Sequence, residues 1–187
     1  MSDELARKIL ELSERVGALK YGEFTLSSGA KSSYYFDGRL ISLNPEGAYL
    51  LGKVFLEGMR GYDVDAVGGP AMAAIPIVTA VALMSQVEGT PVQAFFVRPE
   101  AKGHGTGQQV EGGLVPGSRV MIVDDVCTTG GSLFMAIQAA EAEGCRVVKV
   151  MVVLDRHQGG SDELRRRGYD FQALLEPAPD GTVQVVE

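Results

Sequence analysis

The segment RVMIVDDVCTTGGSLFMAIQAAEAEG, Arg119 to Gly144, constrains the fold of this chain more than any other stretch. Val120 to Val123 is a short continuous apolar run, the pattern of a strand buried on both faces of a parallel sheet. The run is expected to stop at Asp124 and Asp125. A small polar turn follows at Thr128, Thr129, Gly130, Gly131 and Ser132, and then a helix from Leu133 to Glu143. A strand, a Gly/Thr turn and a helix start together make an anion site. Successive backbone N–H groups of the turn can face phosphate oxygens, aided by the unpaired N–H groups of the first helical turn. The hydroxyls of Thr128, Thr129 and Ser132 add donors, and Gly130 and Gly131 allow close backbone approach. Two carboxylates just before such a cradle suit a sugar diol, because an ionised Asp only accepts hydrogen bonds and a diol can donate two. The expectation is a ribose 5-phosphate group with its hydroxyls on Asp124 and Asp125 and its phosphate in the turn. Glycine-rich strand-to-helix turns also occur with no ligand; the paired acids and three hydroxyls favour the binding reading. The segment is neither a P-loop nor a G-x-G-x-x-G fingerprint.

The 187 residues suffice for one domain with a sizeable core, and 45% hydrophobic with 22% charged residues is ordinary for a globular protein. A net charge of −7 argues against general binding to nucleic acid or acidic membranes. No apolar stretch reaches transmembrane length, and the opening MSDELARK is acidic and amphipathic, unlike a signal peptide. Cys127 and Cys145 lack metal-ligand spacing, so a reducing cytoplasm is the expected setting. Cys127 lies inside the turn with no histidine nearby in sequence, which suits a small filler better than a nucleophile.

Leu5, Ile9, Leu12, Val16 and Leu19 recur at helical spacing, so residues 3–18 are expected to form an amphipathic helix with Ser2 as N-cap. Period-two patches around a Ser-Ser-Gly turn in GEFTLSSGAKSSYYFDGR suggest a short hairpin. Asn44-Pro45 reads as an N-cap with Pro at N1, opening a helix to about Met59. Strands are expected over 63–68, ending in Gly68-Gly69-Pro70, over 92–98 and over 149–155. Residues 72–87 are apolar nearly all round, the pattern of a helix buried against a sheet. A charged helix over 162–168 and a strand pair around 170–186 close the chain. Residues 99–113 are glycine-rich and aperiodic, and loops of that length are usually functional. Alternation of strands and helices predicts an α/β fold with a doubly wound, mostly parallel sheet. The strand ends then converge on one edge, where ligands bind in such folds. That edge carries the glycine pair, the two acids, the phosphate cradle, Arg156 after the last buried strand, and the cationic loop.

The loop RPEAKGHGTG sets Arg98, Lys102 and His104 against one acid, Glu100. A cationic lid closing on a diphosphate leaving group would account for it, since cations placed where negative charge develops lower a barrier. A solvated charged loop is the plainer alternative.

The turn segment resembles the phosphoribosyl diphosphate (PRPP) binding motif of the type I phosphoribosyltransferases. RPEAKGHGTG is similar to the catalytic loop Arg-Lys-x-x-Lys-x-His-Gly of the orotate phosphoribosyltransferases. GEFTLSSGAKSSYYFDGR resembles their N-terminal stretch, with its Phe-x-Leu-x-Ser-Gly and Ser-x-Tyr-Tyr elements. The likeness spans nearly the whole chain. It implies a single domain over 1–187 with the type I fold, its small N-terminal hood formed mainly by about 1–40 plus the C-terminal strands. It also implies transfer of the ribosyl 5-phosphate group of PRPP to orotate, with Mg²⁺ held mainly by substrate and no dedicated protein metal site.

By this resemblance PRPP would contact Arg98, Lys102, His104 and the run Asp124, Asp125, Val126, Cys127, Thr128, Thr129, Gly130, Gly131 and Ser132. Arg98, Lys102, His104, Asp124 and Asp125 would serve catalysis, while Thr128, Arg156, Tyr34 and Tyr35 would meet orotate. The loop would be delivered from the neighbouring subunit of a homodimer. Pro99 replaces a second basic residue, Ser27 a lysine, and Met72 and Ala73 a Tyr-Lys pair, so fewer cations reach PRPP. Two other readings stay open. A purine-type phosphoribosyltransferase would leave Arg156 without a carboxylate to pair. A PRPP-sensing regulator without activity would be expected to have a basic face or an added domain.

Overall fold

A computed structural model of the chain describes residues 3–25, 29, 31–100 and 109–186. Ser2, Ser27, Lys102 and His104 lie outside the described residues, and with them the expected first N-cap and two of the expected loop cations.

Helix α1 (Asp3–Arg15) buries Ala6, Ile9 and Leu12; Ile9 and Leu12 lie on the expected face, but the helix ends at Arg15 and Leu19 opens the next strand. Strands β1 (Leu19–Thr25) and β2 (Lys31–Phe36) form the hairpin, with Leu19 opposite Phe36, Tyr21 opposite Tyr34 and an irregularity between Tyr21 and Phe24. A four-residue helix, α2 (Arg39–Ser42), follows. It is too short to show a hydrophobic period. Helix α3 (Pro45–Gly58) starts as expected: the Asn44 side chain accepts from the N–H groups of Glu46 at 2.9 Å and Gly47 at 3.1 Å, with Pro45 in the first turn.

Strand β3 (Ala66–Pro70), helix α4 (Ala74–Val87) and strand β4 (Gln93–Val97) make the first parallel crossover. Gly68, Gly69 and Pro70 lie inside β3 rather than after it. A Cβ on Gly68 would stand 2.2 Å from the Phe95 ring, and one on Gly69 would stand 2.0 Å from the Val123 carbonyl oxygen. The glycine pair is therefore required by packing. Helix α4 buries Ile77, Val78 and Val81 but leaves Leu83 and Val87 exposed, so its apolar outer face is not covered by this chain.

Strand β5 (Val110–Gly112) runs antiparallel along β4 and occupies the end of the stretch expected to be loop. Strand β6 (Arg119–Cys127), helix α5 (Gly131–Ala142), strand β7 (Arg146–Asp155), helix α6 (Gly160–Arg166), strand β8 (Phe171–Pro177) and strand β9 (Val183–Val185) complete the chain. The expected end of β6 at Asp124 is corrected. Pairing with β7 continues from Asp124 opposite Val152 through Val126 opposite Leu154 to Cys127 opposite Asp155.

Among the described residues the main sheet has seven strands in the order β5-β4-β3-β6-β7-β8-β9. Strands β4, β3, β6, β7 and β8 are parallel, with antiparallel β5 and β9 at the edges. This is the doubly wound, mostly parallel sheet expected. The last two strands extend it at one edge. The hairpin touches that edge, where Ser33 Oγ donates to the Gly181 carbonyl at 2.8 Å and the Val183 N–H donates to the Tyr21 hydroxyl at 3.3 Å. From β3 the chain winds outward to β4; from β6 it winds the other way, to β7. The carboxyl ends of β3 and β6 therefore flank the switch point of the sheet, where α/β folds bind ligands. No described helix is long and apolar enough to cross a membrane.

Candidate active site

Because strand residues alternate, Asp124 and Asp125 leave β6 on opposite faces. Asp124 turns towards α5. Its Oδ2 accepts from Ser132 Oγ at 3.0 Å and its Oδ1 from the Asp125 N–H at 3.0 Å. It is only 4% exposed, and burial first, then the neighbouring Asp125 carboxylate, pushes its pKa up to about 8. Burial raises Asp125 as well, opposed by the hydrogen bond from the Val126 N–H. Asp125 lies under the hood: a Cβ on Gly38 would stand 2.5 Å from Asp125 Cβ. Beside Gly38, Arg39 holds Asp37 through two bonds, at 2.8 and 2.9 Å, and its charge acts on both Asp125 and Tyr35.

The turn after β6 is built as a cradle. Gly130 is left-handed with φ 80° and caps α5 with no side-chain hydrogen bond, so the first N–H groups of α5 have no capping oxygen. Thr129, Gly131 and Ser132 are exposed and Thr128 half-buried, which leaves the polar rim open. From behind, Gly160 closes the turn: its N–H donates to the Thr128 carbonyl at 3.0 Å, and a Cβ there would stand 2.6 Å from Gly130 N and 2.8 Å from Cys127 Sγ. Cys127 is buried, and burial followed by Asp155 pushes its thiol up to about 12. Its Sγ lies behind the turn, against Gly160. Val126 is half-buried against the core.

Arg156 leaves the end of β7, its N–H donating to the Cys127 carbonyl at 2.9 Å. The guanidinium carbon lies 5.0 Å from the ring centre of Tyr34, and Nη1 is buried with no hydrogen-bond partner. A stacked guanidinium with a free donor is suited to a planar carboxylate. Of the two tyrosines, Tyr34 is brought to Arg156. Tyr35 points the other way, half-exposed, with its ring 5.8 Å from that of Phe24. Arg98 lies at the end of β4, two strands from β6, with its guanidinium 3.8 Å from Glu111. Its backbone N–H donates to the Gln109 carbonyl at 2.9 Å, and Gln109 Nε2 returns a bond to the Arg98 carbonyl at 2.8 Å, so the two ends of the intervening segment are tied together. Met72, set by resemblance against the tyrosine of a Tyr-Lys pair, is exposed beside the end of β3.

Residues 46–172 match the family described as the phosphoribosyl transferase domain. An orotate phosphoribosyltransferase of Rhodopirellula baltica is 41% identical over 84% of this chain and 84% of its own length. One from Aquifex aeolicus is 40% identical over 93% of this chain and 94% of its own. The chain belongs to the orotate phosphoribosyltransferases. The crystal structure of the Mycobacterium tuberculosis orotate phosphoribosyltransferase in complex with PRPP superimposes with a TM-score of 0.76, at 31% identity, over 92% of this chain and 96% of that one.

Three residues at this orotate phosphoribosyltransferase site escaped the sequence reading. Gly38 and Gly160 are needed for close approach to Asp125 and to the turn, and both contacts join segments far apart in the chain. His157, beside Arg156, is the one described non-glycine residue with positive φ. The dipeptide Asp37-Gly38 before a charged residue was a turn signal that could have drawn attention to the first of these.

Proposed function

We propose that this chain transfers the ribosyl 5-phosphate group of PRPP to N1 of orotate, releasing orotidine 5′-monophosphate and diphosphate, as a pentosyltransferase of pyrimidine biosynthesis. The observation that carries the reading is the pairing of an open turn at 128–132 with the Arg156 guanidinium, its Nη1 buried and without a hydrogen bond, at adjacent strand ends. Turn N–H groups and the hydroxyls of Thr128, Thr129 and Ser132 take the 5-phosphate, fixing one end of the sugar. Asp124 and Asp125 take the ribose hydroxyls. Arg156, braced on Tyr34, takes the orotate carboxylate and aims N1 at C1′, with Thr128 beside it.

The C1′–O bond to diphosphate breaks with its electron pair leaving on oxygen, the C1′–N1 bond forms, and one proton is released from N1. Holding both partners in line supplies much of the rate. An oxocarbenium-like transition state needs no activated nucleophile, and among the described residues the buried Cys127 thiol is pushed up to about 12. Among the described residues no group of three His, Cys, Asp or Glu could hold a metal ion alone. Mg²⁺ would be held mainly by the diphosphate and ribose oxygens and by water, as the oxygen preference of the ion allows. When bound it neutralises charge on the leaving diphosphate.

Arg98, Lys102 and His104 add cations to the departing diphosphate. We infer that they act on the partner's site in a homodimer, with the whole chain as one domain and the cytoplasm as its setting. Chromatography of a mixture of the protein, PRPP, orotate and Mg²⁺ tests the activity. Orotidine 5′-monophosphate should form only when both substrates are present, and its absence under all conditions would overturn the proposal.

A further inference from the structure

His157 is held in an uncommon way. Its φ of 51° lies in the left-handed region, which glycine enters freely and most side chains avoid. The neighbouring carboxylates hold it there. Its N–H donates to Asp155 Oδ1 at 3.0 Å, ring Nδ1 stands 3.4 Å from Asp155 Oδ2, and Nε2 donates to Glu176 Oε2 at 3.0 Å. Asp155 is buried at the end of β7, and Glu176 lies near the end of β8, where Gln184 Nε2 also donates to it at 3.3 Å. The backbone N–H thus ties the residue after Arg156 to the end of β7, and the ring ties it to β8. Arg156 itself is pinned on its other side by the bond from its N–H to Cys127. Between these two ties the backbone has little freedom, and the guanidinium is directed at Tyr34 with one nitrogen left free.

We propose that His157 is a positioning residue for the acceptor: tied by its N–H to Asp155 and by its ring to Glu176, it sets Arg156 against Tyr34 and thereby fixes the carboxylate end of orotate. The proposal rests on the orotate reading above. It deepens that reading by assigning acceptor affinity to a residue that never touches the acceptor. A left-handed position filled by histidine, where glycine would carry no conformational cost, is explained by what the ring holds.

Steady-state kinetics of His157→Ala, His157→Gly, His157→Gln and Glu176→Gln test it. His157→Ala should raise the KM for orotate about tenfold, the effect of one lost charge-assisted hydrogen bond, while kcat and the KM for PRPP stay within about twofold. His157→Gly should show the same loss for orotate even though it relieves the backbone. His157→Gln, whose amide can still reach Glu176, should recover most of the affinity. Glu176→Gln leaves the histidine in place with a neutral acceptor, and should raise the orotate KM about threefold should the alanine variant fail to fold. An unchanged orotate KM in both His157→Gly and Glu176→Gln, or an equal rise in both KM values, overturns the positioning role. Wild-type protein and Arg156→Ala run alongside separate the two failures. Orotate turnover by wild type that is lost in Arg156→Ala keeps the activity even where His157 proves neutral, whereas wild type inert towards orotate overturns the activity first.

Discussion

Replacing Asp124 by Asn asks whether this buried carboxyl is kept for substrate or for the fold. The carboxyl is 4% exposed, and its pKa is pushed up to about 8 by burial and by Asp125. In the unfolded chain the same group titrates near ~3.9. An acid with a raised folded pKa binds more protons folded than unfolded between those two values. Stability therefore falls as pH rises from about 4 to about 8, and the full cost is present above 8. One pKa unit corresponds to ~1.4 kcal/mol, so the cost at pH 7 has an upper bound of about 4 kcal/mol. Relaxation and water entry around the site reduce this, to about 2 kcal/mol. Asn keeps an acceptor for the Asp125 N–H, and Ser132 Oγ can turn to meet the amide. At about 2–4 °C per kcal/mol for a chain of this size, the variant should melt roughly 4–8 °C above wild type at pH 8, with the gain shrinking towards pH 5. Turnover should be lost. Calorimetric melting from pH 5 to 8 is the assay. A variant that melts lower than wild type at pH 8, or a gain that does not grow with pH, would refute the reasoning and make Asp124 a structural residue.

Other perturbations separate the parts of the site. Arg156→Ala should weaken orotate about 100-fold, the cost of truncating one partner of a bidentate charge pair, and leave PRPP binding within about threefold; titration calorimetry with each ligand reads both. Gly38→Ala places a methyl 2.5 Å from Asp125 Cβ, so it should lower PRPP affinity by about tenfold or more with a smaller effect on orotate, and an unchanged PRPP titration would contradict the packing account. Mixing Lys102→Ala with Arg156→Ala subunits should restore about a quarter of wild-type activity, because half the dimers are mixed and each has one intact site; verified exchange without recovery would rule out a loop acting on the partner's site.

What was legible in the sequence was what neighbouring residues encode. The spacing of Ile9 and Leu12, the Asn44-Pro45 cap, the apolar run before Asp124 and the glycines of the turn are local signals, and the structure carries them through. The errors lie where pairing decides. The strand looked finished at Asp124 because two acids interrupt the apolar run, yet β7 supplies partners up to Asp155 and the strand continues to Cys127. Val110–Gly112 has no strand pattern of its own and takes its form from β4. That Gly68 and Gly69 are required by Phe95 and the Val123 carbonyl is set by strand neighbours far off in the chain. At the site, Asp124, Asp125, the turn and Arg156 could be chosen by residue type and by their place at strand ends. Tyr34 over Arg156, Gly38 under Asp125 and His157 between two carboxylates depend on contacts between distant segments, to which sequence spacing gives no access.

The central claim is that the strand-end cradle holds PRPP while Arg156 chooses an acceptor bearing a carboxylate. The most direct measurement follows acceptor consumption by absorbance with PRPP and Mg²⁺, offering orotate, uracil, adenine and hypoxanthine singly at equal concentration. The account predicts loss of orotate absorbance and no reaction with the other three, uracil included, since it differs from orotate by the carboxylate alone. Turnover of uracil at a rate comparable to orotate, or of either purine in its place, would contradict it.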